Sequence, residues 1–237
     1  MKYRSPFYVA HAFLMTGIVI AGFFPYFNPL LTGGAIPDKF NHIAIHLHAA
    51  INMGWMASYT ALAVLAWRHR IDLHRRFGPY IAIFGILVTV VGFCAGFALA
   101  LRRNEIGNGV DDAAVFLLIV LTDMLMFAGF LAAGIYYRKR PEAHKRLMAL
   151  ATWSIAVVGA SRLYGRVLLP VMPEWTAQLV VLTPVFLIIG HDLLTRRRIH
   201  PVSLIGLVVF VLRLYRRDFA DSEMWLPIGR PLIQSFL

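Results

Sequence analysis

The sequence predicts an all-α fold: a polytopic transmembrane helical bundle of about seven helices, six being the smaller alternative, with a cytoplasmic N-terminus. Three observations predict it. Apolar residues make up 59% of the chain and charged residues only 15%, whereas soluble domains are about 45 to 50% apolar. The apolar residues fall in runs close to the length a bilayer requires, about 20 residues each. Short basic knots separate these runs, so a mean hydropathy of +0.68 coexists with a formal net charge of +11. In a soluble chain that charge would suggest nucleic acid. Here it sits in short loops, where it sets orientation and faces anionic lipid headgroups, so nucleic acid is not an expected partner. A chain of 237 residues has room for one membrane domain, residues 1–237, and none for a separate soluble catalytic module.

Lys2 and Arg4 precede an apolar run in the manner of a signal peptide. The run continues through FFPYF (residues 23–27) without a small-x-small exit, so it is read as an uncleaved first span, residues 7–27, closed by Pro25 and interfacial aromatics. A loop containing Gly and Pro, residues 28–41, leads to the second span, 42–67. The third span covers 79–101, where Gly92 and Gly96 form a small-xxx-small face for close helix approach. The fourth covers 113–137 and the fifth 147–169. The sixth covers 175–195, and Pro184 within it removes a backbone donor and predicts a kink. A seventh apolar run, 201–212, is short for a bilayer. Arg213, Arg216 and Arg217 then open a mixed-charge segment, 213–237, expected to lie along the membrane surface.

Basic residues decide the orientation. Lys2, Arg4, the knots at 68–76 and 138–146, and Arg196, Arg197 and Arg198 fall on one side; Lys39, Arg102 and Arg103 fall on the other. The basic side is therefore expected to be cytoplasmic. Residues 68–77, RHRIDLHRRF, return as residues 138–147, RKRPEAHKRL, with Asp72 matching Glu142, His74 matching His144 and Arg76 matching Arg146. Both copies cap hairpins running in the same direction. The spans thus form parallel pseudo-repeats, an arrangement that disfavours an alternating-access transporter.

Ionisable residues inside spans are expensive and face a partner or a cavity, so they mark the candidate sites. At the basic end, His74, His144 and His200 stand at helix entrances. Neutral imidazole is a ligand for haem iron, zinc or non-haem iron, and a shared haem or metal ion would require His74 and His144 to converge. The bland alternative is an interfacial His beside lipid phosphate, and the flanking positive field opposes a bare cation. At the other depth, His46, His48, Asn52, Asp123 and Arg162 are expected to form a polar intramembrane pocket, or else a self-neutralising network that fixes packing. His46 and His48 lie about 200° apart on an ideal helix, so they do not clamp one metal. Arg75, Arg76, Lys145, Arg146, Arg197 and Arg198 are expected to contact lipid headgroups. Cys94 is the only cysteine, which excludes an intrachain disulfide, a thiolate zinc site and an iron–sulfur cluster. No phosphate loop, dinucleotide fingerprint, HExxH or nucleophile elbow occurs.

Several segments carry a resemblance to a known group. They are HLHAAINMGW (46–55), HRRFG (74–78), TDMLMF (122–127), RPEAHKRLMALAT (140–152), SRL (161–163) and DLLTRRRIHP (192–201). With the GFFP turn at 22–25, the chain resembles a family of uncharacterised bacterial integral membrane proteins. It is similar, more loosely, to predicted membrane proteins of unknown function with HRxxG and HRxxM loops. Ala49, after the second His of HLH, is a mild departure. The resemblance implies a multi-pass protein of the bacterial inner membrane and carries no activity. Three functional readings stay open: haem or metal binding through His74, His144 and His200 in membrane redox or metal handling; a non-enzymatic accessory subunit binding anionic lipid or partner membrane subunits; and a small transporter.

Overall fold

The computed structural model describes residues 6–35, 42–167, 169–173 and 175–236. All regular structure among them is helical, as composition requires of a chain that must satisfy its backbone inside lipid. Five helices are long and apolar enough to cross a membrane, six if a bent pair at the start counts as one span. The chain is thus a multi-pass helical membrane protein. Lys2, Arg4 and Lys39, which contribute to the expected orientation, lie outside the described residues.

The first span is α1 (Phe7–Gly22) followed by α2 (Phe24–Thr32), bent by 73°. The bend falls where Pro25 enters the first turn of α2, a position that tolerates a residue without an N–H. Gly22 is fixed by contact rather than by conformation: a Cβ there would strike the backbone of Gly159, so the two glycines let α1 and α6 cross backbone to backbone. Then come α3 (Ile43–Trp67), α4 (Ile71–Arg103), α5 (Val110–Tyr136), α6 (Pro141–Val167) and α7 (Thr176–Arg196). From α3 to α6 each helix packs on the next, and α1 packs on both α3 and α6, closing a five-helix ring. Gly92 and Gly96 on α4 receive Met124 and Val120 of α5, the close approach that their spacing predicts. Trp55, Phe127 and Trp153 fill the interior, with the Trp55 indole donating to Thr152 Oγ1 and the Trp153 indole to the Val181 carbonyl. α7 packs on α6 and runs unbroken through Pro184.

Two expectations change. The third and fifth spans start eight and six residues earlier than hydropathy alone suggests, because α4 begins at Ile71 and α6 at Pro141. From Ile71 and from Pro141 onward the repeated basic motif is therefore helical, whereas residues 68–70 and 138–140 precede the two helices. Arg and Lys are good helix formers, and Asp72 and Glu142 lie in the first turns, where carboxylates complement the helix dipole.

The second change concerns the chain after residue 212. α8 (Pro201–Leu214), α9 (Arg216–Ala220) and α10 (Leu226–Gln234) do not form a tail on the membrane surface. α8 packs on α7 and α6, and from Arg213 onward the chain runs antiparallel along α5: Arg213 and Arg216 meet Asp123, the Trp225 indole donates to the Ala114 carbonyl, and Arg230 pairs with Asp111. Ala220 and Ile233 are fully buried on this face. Burial of these apolar groups, with Arg213, Arg216 and Arg230 each reaching an Asp of α5, outweighs solvation at the surface. Residues 201–234 thus pass from the basic end to the opposite end as a broken traverse. In a Cys94→Ser background, Ser235→Cys and Asn108→Cys should react with an impermeant maleimide from one side of the membrane and Arg198→Cys from the other. Labelling of positions 198 and 235 from the same side would refute the traverse.

Candidate functional site

His74 is the fourth residue of α4, and His144 is the fourth residue of α6. Their backbone N–H groups donate to the carbonyls of Arg70 and Arg140 at 3.0 and 2.9 Å, so the duplication extends to helix register. Each ring also reaches back to the helix before it. His74 Nδ1 lies 3.1 Å from the Leu62 carbonyl and His144 Nδ1 lies 2.8 Å from the Gly134 carbonyl. A carbonyl only accepts, so Nδ1 carries the proton in both rings and the neutral form leaves each Nε2 lone pair open. The two ring centres are 6.2 Å apart and their planes stand at 86°. A Nδ1–H bonded to a carbonyl is the arrangement that orients a metal-ligating imidazole.

His200 does not join them. It precedes α8 as its N-cap, with Nδ1 accepting from the Val202 amide at 3.1 Å. Its own amide donates to Asp192 at 3.1 Å. Burial, together with the positive charges of Arg146 and Arg196, holds its imidazole below the ordinary histidine range, which suits an acceptor role. No group of three His, Cys, Asp or Glu side chains able to hold a metal ion occurs among the described residues. The expected three-histidine cluster is therefore a pair.

The other basic-end residues separate into two kinds. Arg75, Arg76, Arg197 and Arg198 are exposed, where headgroup contact is open to them. Arg146 is not: it is fully buried, bonded to both oxygens of the fully buried Asp192 and to the Glu142 carbonyl and carboxylate. Asp192 also accepts from Ser203 Oγ at 2.6 Å. Arg146 thus ties α6 to α7 and, through Asp192, to α8. Lys145 pairs with Glu142 at 2.8 Å and covers the Tyr8 ring. The expectation of headgroup contact is replaced at Arg146 by internal pairing.

The expected polar intramembrane pocket also divides. His46 Nδ1 meets the Tyr26 hydroxyl at 2.8 Å, while Asn52 donates to the His48 carbonyl and Trp55 and Tyr59 turn inward. Among the described residues, His48 Nδ1 is buried without a hydrogen-bond partner. Asp123 does not pair with Arg162. It bonds Arg213 at 2.9 Å and Arg216 as well, because α8 is short enough to end at the middle of α5. Arg162 instead lies over the Phe23 ring at 4.7 Å.

Sequence reasoning missed Arg166, Tyr26, Arg213 and Arg216 as members of these clusters. The i, i+4 spacing of Arg162 and Arg166 could have found the first. Compared with protein-family models, curated proteins and solved structures, the chain shows no match.

Proposed function

We propose that this chain is a bacterial inner-membrane protein that holds a haem-type iron, or a related metal centre, between His74 and His144 at its cytoplasmic end. The observation that carries this reading is the neighbouring pair of imidazoles on duplicated hairpins, their ring centres 6.2 Å apart and each with Nδ1 fixed to a carbonyl. His74 and His144 would hold such a group through their Nε2 atoms, the positions that the carbonyl-bonded Nδ1–H groups leave open. Zinc sites take three or four protein ligands, whereas a porphyrin supplies four nitrogens and needs only two. The basic collar of both motifs points the same way: it repels a bare dication and complements the carboxylates of a haem periphery. Such a centre would carry single electrons at the membrane face.

The second reading is an accessory subunit that binds anionic lipid or a partner complex, favoured by the exposed Arg75, Arg76, Arg197 and Arg198. Oxidised and reduced visible spectra of the protein purified from haem-replete cells, with elemental analysis, separate the two. The expected result is a Soret band at one haem per chain, lost in His74→Ala and in His144→Ala and kept in His200→Ala. A colourless, metal-free preparation with retained anionic lipid would sink the first reading and support the second.

A further inference from the structure

At the end of the bundle opposite the basic motifs, the bend between α1 and α2 opens a cleft of about 290 Å³ against the end of α6. Phe23, Pro25 and Tyr26 line one wall; Arg162, Gly165 and Arg166 line the other. Two cations one helical turn apart repel each other. Among the described residues, no carboxylate forms an ion pair with either guanidinium. Arg166 is held by the carbonyls of Ala21 and Gly22 at 2.5 and 3.1 Å, the groups that the bend leaves accessible. Arg162 is held by stacking over Phe23. Both contacts fix position without cancelling charge, since a carbonyl and an aromatic face carry only partial negative character. At Gly165, between them, an added Cβ would meet nothing within 4 Å, so the space is open.

We infer that this cleft binds a phosphoryl group, with Arg162 and Arg166 as its cationic clamp and Phe23 and Pro25 as an apolar wall for whatever the phosphoryl group is attached to. Guanidinium matches a phosphoryl oxygen pair in both charge and geometry. A bound oxyanion would supply the counter-charge that no described residue provides. A lipid headgroup and free phosphate share this chemistry, and the apolar wall is of use only to the lipid. The site is independent of the histidine pair.

The test uses the full chain in a nonionic, phosphate-free detergent, titrated with dioctanoylphosphatidylglycerol, with inorganic phosphate and with dioctanoylglycerol, and read by native mass spectrometry. One saturable phosphatidylglycerol site is expected, weakened at least tenfold both in Arg162→Gln and in Gly165→Leu. The second variant fills the cleft while keeping both arginines, so a folding defect in the first leaves the test intact. Phosphatidylglycerol binding that inorganic phosphate does not displace assigns a headgroup; displacement assigns the free anion, and both support the site. Undiminished binding in the two variants, or equal binding of dioctanoylglycerol, overturns it.

Discussion

Replacing Arg146 with Met is expected to destabilise the bundle by about 3 to 5 kcal/mol, the loss that follows when one partner of a buried ion pair is removed. Neither Arg146 nor Asp192 exposes any side-chain surface, so water does not take over the role of the missing guanidinium. Asp192 would keep only the Ser203 hydroxyl and the His200 amide, two neutral donors for a full charge. Lys145→Ala provides the comparison, because its pair with Glu142 is a third to a half exposed and is expected to contribute less than about 1 kcal/mol. Unfolding in mixed micelles, followed through the buried Trp55 and Trp153, reads both changes. The double variant Arg146→Met/Asp192→Leu should recover most of the loss, since apolar side chains of similar volume often replace a buried pair without penalty. If Arg146→Met costs no more than Lys145→Ala, the network does not hold α6, α7 and α8 together.

That network was only half legible in the sequence. The repeat at 68–77 and 138–147 correctly placed His74 and His144 at one level, because a duplicated hairpin duplicates helix register as well as residues. The same repeat hid the difference between Arg76 and Arg146. Both follow a His by two residues, yet Arg76 is exposed while Arg146 turns toward Asp192 on α7. Pattern within a hairpin says nothing of which neighbour packs on it. His200 was misplaced for a related reason: it follows a basic knot like the others, but it stands before its helix rather than inside it. A side chain at that position satisfies a free amide of the first turn and is no longer available as a ligand.

The path of the chain after residue 212 was illegible for a different reason. Its arginines signal a surface only while their partners are unknown, and the partners are Asp123 and Asp111 on a helix about a hundred residues earlier. Length was the usable signal. Fourteen residues in α8 span only about 21 Å at about 1.5 Å per residue, against about 30 Å of hydrocarbon. A run that starts at the basic end and stops short must deliver its next charges to mid-depth, where an acid is needed. Asp123 is the acid at the centre of α5.

Asp123→Asn is the second change expected to have a large effect, because one carboxylate neutralises two guanidiniums. Arg213 and Arg216 both bond Asp123, and their side chains are 6% and 15% exposed. An amide would leave two cations at mid-depth with no charge to offset them, and the expected loss is again about 3 to 5 kcal/mol. The loss should be local before it is global. Residues 213–236 would detach from α5, so limited proteolysis should remove them from Asp123→Asn under conditions that leave the wild type whole. Double-mutant cycles then distinguish this partnership from the one that the sequence suggested. Asp123 with Arg213 should couple by about 1 to 3 kcal/mol, whereas Asp123 with Arg162 should be additive to within about 0.5 kcal/mol. Strong coupling to Arg162, with none to Arg213, would return Asp123 to the opposite-end pocket and remove the anchor that draws the C-terminal segment across the bundle.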